Sequence, residues 1–232
     1  MTEKNQETNR DIKHRLAEWI PEHVPARVIV AVYHLLDRFC FVGKKSRQAH
    51  ADRNLMELRS KNSPLVGEYI DNQYAWKNIE FGRTTMAVAG CEIMAVYNVM
   101  KALGLGEGPE LICRLIEQFE HSGASLKGKI GSSPLGIKRC LKKQGIKSRL
   151  IFNENKLSSD CTMAIATVYN DRSDLYRQIH TIAFIKDKEK GIVAHNARTK
   201  QPGYPTMAEA IGAVGTNPKT ICIIEMENHL KG

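Results

Sequence analysis

The chain has 232 residues, of which 42% are hydrophobic and 25% charged, and its formal net charge is +9. This composition is ordinary for a globular protein and excludes a disordered chain. The six cysteines form no C-x-x-C pair, so we expect reduced thiols, no disulfide framework, no metal site and no cofactor.

The N-terminal region, residues 1–62, is expected to form a helical extension of a main domain at residues 63–232. The first residues are polar and lack the apolar core of a signal peptide. The apolar stretch at 28–42 is too short to span a bilayer, which needs about 20 residues. We therefore expect a cytoplasmic protein without a membrane span.

Residues 26–39 follow two proline breakers and should form an amphipathic helix. Its apolar face is predicted to contain Val28, Val32, Leu35 and Phe39, which have to be buried in a folded protein. We expect this face to pack on the main domain. Pairing with another chain, or crossing the cleft as an inhibitory pro-segment, are the alternatives.

The main domain begins with helices and continues with strands. Capping and stop residues predict helices at Cys91–Leu103 and Pro109–His121 and a third between Ser133 and Gly145. A helical block followed by strands predicts an α+β fold with an antiparallel sheet. The strands are expected at four short runs rich in Ile, Val and Thr: 163–168, 180–185, 191–195 and 220–224.

Cys91 is the candidate nucleophile because it opens a predicted helix directly after Gly90. Unpaired N–H groups and the helix dipole stabilise a thiolate at that position, and glycine leaves room for a substrate. A free cysteine is more often a small buried hydrophobic residue. That is our expectation for the other five, Cys40, Cys113, Cys140, Cys161 and Cys222.

His180 and Asn196 lie in a predicted hairpin, each eight residues from Lys188. If the turn is centred on Lys188, the two side chains are cross-strand neighbours, and the Asn196 amide can orient the imidazole. The alternative is that His180 is an ordinary residue at the start of a strand. His195 should face the other side of the sheet from Asn196 and is not our candidate for the base.

Three segments together resemble the papain-like, bacteriocin-processing (double-glycine peptidase-like) cysteine peptidases of bacteria. GCEIMAVYNVMKALG resembles the nucleophile helix, and GSSPLGIKRCLKKQGIKSRLI is similar to the following helix and strand. HTIAFIKDKEKGIVAHNAR resembles the histidine strand, with the third site residue sixteen positions later. The resemblance covers roughly residues 85–226.

This resemblance implies a papain-like fold in which the nucleophile helix packs on an antiparallel sheet. It also implies a cysteine peptidase that acts on a peptide or protein, with Cys91 as nucleophile, His180 as its proton partner and Asn196 as orienter. Asn196-Ala197 stands where the family usually has Asp-Pro.

The expected oxyanion-hole glutamine just before the nucleophile is absent, because residues 83–86 are Arg-Thr-Thr-Met. Gln73 is the nearest upstream glutamine and our first candidate, with Thr85 or Thr84 as the fallback. Losing one such donor costs about 3 kcal/mol of transition-state stabilisation. A catalytically weak or inactive papain-like binding protein is therefore the alternative function.

A basic patch lies at residues 127–149, with eight Lys or Arg residues and no acidic residue. Such a patch can attract nucleic acid or an anionic membrane surface, which is a third interpretation. Because no nucleic-acid motif accompanies it, we expect a solvated helix face and no nucleic-acid partner.

Overall fold

The computed structural model describes residues 3–39, 42–129, 131–170, 178–197, 203–215 and 219–227. Its helices are α1 (Glu3–His23), α2 (Ala26–Phe39), α3 (Lys44–Leu58), α4 (Met86–Ala89), α5 (Cys91–Ala102), α6 (Pro109–Ser122), α7 (Pro134–Lys143) and α8 (Met207–Ala213). Its strands are β1 (Glu80–Phe81), β2 (Thr84–Thr85), β3 (Ser148–Ile151), β4 (Met163–Tyr169), β5 (Ile179–Asp187), β6 (Gly191–His195) and β7 (Lys219–Met226).

The main sheet has five strands in the order β3-β7-β4-β5-β6, and every neighbouring pair is antiparallel. Helix α5 packs against β4 and β5. The predicted α+β class, with a helix that begins at Cys91 lying on an antiparallel sheet, is therefore confirmed. Strands β1 and β2 form a separate small hairpin before α4.

The two faces of the main sheet belong to different hydrophobic clusters. Ile165 and Ala183 face the helical side, where they join residues of α5, α6 and α7. Ala166 and Ile182 face the opposite side and pack with residues of α8. Because successive side chains in a strand alternate between faces, a residue's position in β4 or β5 decides which cluster it meets.

Helix α5 is the central element of the helical side. The residue before it is Gly90, and a side chain there would clash. A Cβ added to Gly90 would lie 2.6 Å from the Met86 carbonyl oxygen. All ten residues of α5 at positions 91–100 are buried. A helix that is buried on all sides fits its apolar sequence, and the Cys91 end of α5 is enclosed by protein as well.

Helix α2 packs on β7 and α7, as expected, but with a different face from the predicted one. Val28, Val32 and Leu35 are 47%, 49% and 55% exposed, so the prediction of a buried face is wrong for these three. The Phe39 side chain lies outside the described side chains. The inward face instead carries Val30 and the buried Asp37, together with Tyr33. Helix α2 is turned so that the carboxylate of Asp37 reaches hydrogen-bond donors.

Helix α3 holds the β1–β2 hairpin in place. The buried Asn54 side chain donates to the Glu80 main-chain oxygen at 2.9 Å and accepts from the Glu80 N–H at 2.7 Å. His50 Nδ1 lies 2.5 Å from Oε1 of the buried Glu120 on α6. Together these contacts fix the segment that leads into α4 and Cys91. In the described part of the chain, no helix has both the length and the apolar character needed to cross a membrane.

Candidate active site

The Cys91 thiol lies in a closed environment at the start of α5, with only 7% of the residue exposed. Burial raises the pKa of Cys91 well above its ordinary value, and the neighbouring charge of Glu92 raises it further. Hydrogen bonding by Thr181 opposes this rise in pKa without cancelling it. Burial therefore works against the thiolate that the helix N-terminus would otherwise favour.

Glu92 is a second buried titratable group at the same helix end. Burial raises its pKa to about 7, against hydrogen bonds from its own amide, the Ser132 amide and the Cys91 thiol. Its Oε2 atom has no hydrogen-bond partner among the described residues. Gly131 lets the neighbouring loop approach, because an added Cβ would lie 2.7 Å from the Glu92 carboxylate. No local pattern in the sequence indicates that Glu92 is buried.

Thr181 is the β5 residue beside the Cys91 thiol. Its hydroxyl lies 3.1 Å from the Thr167 hydroxyl on β4, and both residues face the helical side of the sheet. His180 precedes Thr181, and strand alternation puts adjacent side chains on opposite faces of the sheet. The residue paired with His180 across the sheet, Val168, belongs to the cluster on the α8 side. The position facing Cys91 is therefore taken by a threonine.

His180 and Asn196 do meet, but through the main chain of Asn196. The ring Nε2 of His180 lies 2.6 Å from the Asn196 carbonyl oxygen. The hairpin pairs Asp187 with Gly191, so its turn is centred one residue beyond the predicted Lys188. This shift makes the approach of the two residues diagonal. Asn196 follows the last residue of β6 and has a φ of 64°, in the left-handed region.

Gln73 holds the Asn196 side chain and links it to the segment before Cys91. The Gln73 main-chain N–H donates to Asn196 Oδ1 at 3.1 Å, and Asn196 Nδ2 donates to Gln73 Oε1 at 3.2 Å. Gln73 Nε2 donates to the Ala87 carbonyl oxygen in α4 at 3.2 Å. The side-chain amide of Gln73, the first candidate for the oxyanion hole, therefore donates to a main-chain oxygen. The fallback candidates, Thr84 and Thr85, form strand β2 and are half-buried.

Sequence reasoning missed an Asp71–His195 pair beside these residues. His195 Nδ1 lies 3.0 Å from Asp71 Oδ1, and the imidazole packs on the Tyr69 ring with centroids 4.1 Å apart. The same Asp71 oxygen accepts from the Asn196 N–H at 3.2 Å. The polar run Asp71-Asn72-Gln73 between two apolar residues was the only signal for this contact.

Helix α2 also borders the site, a position that the sequence offered only as an alternative, the pro-segment that crosses the cleft. Burial raises the pKa of the Tyr33 hydroxyl, and the charges of Glu92 and Cys91 raise it further. A cavity of about 10 Å³, which is close to the space of one water molecule, lies between part of α2 and the sheet. Its lining includes Ile29, Val30 and Tyr33 of α2 and, opposite them, Glu92, Ser132 and Thr167.

Among the described residues, no three or more His, Cys, Asp or Glu side chains cluster so that they could hold a metal ion.

Neither a protein-family model nor a curated protein matches this chain. Among solved structures, the chain is similar to the peptidase domain of Streptococcus ComA, described as a bifunctional ABC transporter involved in quorum sensing. The match covers 60% of this chain and 91% of that domain, with 17% sequence identity and a TM-score of 0.33. A similarity of this size does not assign the chain to a family.

Proposed function

We propose that this chain is a papain-like cysteine-peptidase homologue that binds a peptide or protein segment at the Cys91 site with little or no turnover. The observation that carries the proposal is the hydrogen bonding of Thr181 to the Cys91 thiol, because strand alternation then puts the preceding His180 on the other face of β5. Nucleophilic catalysis by cysteine needs a thiolate and a base within hydrogen-bond reach. A threonine hydroxyl is not a base at neutral pH, and burial of the Cys91 thiol raises its pKa and so disfavours the thiolate.

The second candidate is a cysteine peptidase in which Cys91 attacks, His180 transfers the proton and Asn196 orients the ring. The hydrogen bonds that join His180, Asn196, Gln73 and Ala87 favour it, because they connect the strand end to the turn before the nucleophile. In this mechanism the Cys91 N–H would supply one oxyanion donor. Gln73 or Thr85 would supply the other, and the His180 ring would have to cross to the helical face.

Turnover separates the two candidates. Wild type, Cys91→Ala and His180→Ala are incubated with a peptide library, and new termini are identified by mass spectrometry. The binding proposal expects no Cys91-dependent cleavage in any of them. Cleavage that is lost equally in Cys91→Ala and His180→Ala, but retained in the exposed control His121→Ala, would establish the peptidase instead.

Binding itself is tested by selecting peptides from a random display library on the wild-type protein. Selected peptides should lose their affinity when Cys91 is alkylated, because the added group fills the site. If every selected peptide binds alkylated and unmodified protein equally well, the Cys91 site is not the binding site and the proposal is wrong.

A further inference from the structure

We infer that α2 is a removable cover over the Cys91 site and that Asp37 is the latch that holds it closed. This inference rests on the proposed function, because it describes how the same site is opened to a peptide. A closed site is evident from the thiol itself, which lies at a helix start and yet is buried. A ligand could reach it only after a neighbouring element has moved.

The neighbouring element is α2. Ile29, Val30 and Tyr33 form one wall of the cavity, and Glu92, next to Cys91, lies on the opposite wall. The outward stripe of α2 at Val28 and Val32 is exposed, so this helix is held by its inner face, which packs on α7 and β7. A single helix attached along one face can separate from a domain without unfolding the core beneath it.

The latch is a buried carboxylate one helical turn beyond Tyr33. Asp37 Oδ1 accepts a hydrogen bond from the Ser125 hydroxyl at 2.5 Å, and its Oδ2 accepts one from the Ser133 hydroxyl. Arg139 Nη2 lies 3.4 Å from Oδ2, and the Asp37 side chain is only 1% exposed. Ser133 also caps α7, since its hydroxyl accepts from the Gly136 N–H at 3.0 Å. Asp37 therefore fastens α2 to the start of α7.

With α2 in place, two polar atoms beneath it lack hydrogen-bond partners among the described residues. Glu92 Oε2 and Ser132 Oγ both belong to residues that line the cavity, and neither atom has a hydrogen-bond partner among the described residues. Buried polar atoms without partners are costly. Displacing α2 would present both oxygens to a ligand, and a peptide carrying N–H or ammonium donors would satisfy them.

The experiment measures iodoacetamide labelling of each cysteine over time, mapped by peptide mass spectrometry, in wild type and Asp37→Ala. Cys91 labelling should accelerate about tenfold or more, the factor that corresponds to about 1.4 kcal/mol in an opening equilibrium. Cys222 should accelerate as well, because it packs with Val30 of α2. Cys113 of α6 and Cys140 of α7 belong to the hydrophobic cluster built around α5 and should keep their wild-type rates.

The matched control is Val32→Ser, which changes the exposed face of α2 and should leave all labelling rates unchanged. An unchanged Cys91 rate in Asp37→Ala would overturn the inference. Equal acceleration of Cys113 and Cys140 would overturn it too, because that pattern means global unfolding.

If Asp37→Ala does not fold, hydrogen exchange on the wild-type protein decides the question. The amides of α2 should exchange faster than those of α5, and equal protection would contradict a separable cover. Failure of the proposed peptide binding would leave these results untouched, because iodoacetamide needs no peptide site.

Discussion

Asn98 provides a direct test of how the site segment is fixed to α5. Its side chain is completely buried, accepts from the Ile70 N–H at 2.9 Å and donates to the Ile70 carbonyl oxygen at 3.0 Å. Ile70 immediately precedes Asp71, and Gln73 follows two residues later. One amide side chain therefore satisfies both main-chain groups of the residue that begins this segment.

Replacing Asn98 with alanine removes both hydrogen bonds and leaves the N–H and C=O of the buried Ile70 without partners. Each unsatisfied buried group costs about 1–3 kcal/mol. Because water can enter part of the vacated space, we expect the free energy of unfolding to fall by about 2–4 kcal/mol rather than by the full sum.

Chemical denaturation monitored by tryptophan fluorescence and by circular dichroism measures this change. The control is Asn78→Ala, because Asn78 is exposed and its amide donates to Glu57 at the surface, at 2.9 Å. That substitution should change stability by no more than about 0.5 kcal/mol. A loss below about 1 kcal/mol for Asn98→Ala, or equal losses for both variants, would refute the reasoning.

The free energy of unfolding should fall as pH rises from about 5 to 8, because Glu92, with a folded-state pKa of about 7, keeps a proton that the unfolded chain has released. Glu92→Gln should flatten this slope, and an unchanged slope would contradict the assignment. Alkylation of Cys91 should keep accelerating above pH 9, because burial raises its pKa, whereas a plateau near neutral pH would indicate a thiolate. Arg149→Ala should lower stability by about 1–3 kcal/mol because it leaves the buried Glu225 carboxylate without its cation, whereas Lys142→Ala in the same basic patch should have little effect.

The elements of the main domain could be predicted because their signals are local. A helix from Cys91 to Leu103 was expected and Cys91–Ala102 is observed, and the predicted strand at 191–195 has the same limits in the structure. Gly90, Gly104 and the Ser133-Pro134 pair act through neighbouring backbone groups. Such signals are present in the sequence itself.

Local signals could not predict which side of a helix or strand a residue's side chain would occupy. His180 and Thr181 differ by one position, and that difference alone decides which meets Cys91. The inward face of α2 depends on Asp37 finding two serines and an arginine about 90 to 100 residues later. Two of the eight cations in the basic patch, Arg139 and Arg149, pair with buried or partly buried carboxylates. The spacing of residues in the sequence does not predict these long-range pairs.

The position of β7 in the sheet has a consequence for synthesis of the chain. Strand β3 pairs only with β7 within the described sheet, and β7 also separates β3 from β4. Roughly 70 residues lie between β3 and β7, so a ribosome adding about 5–20 residues per second needs ~3–14 s to supply the missing partner. During that interval both β3 and one side of β4 present unpaired main-chain groups. Binding of these strands by a chaperone would have its greatest effect in that window, and a nascent chain that stalls before Lys219 would be the species most prone to pair with another copy.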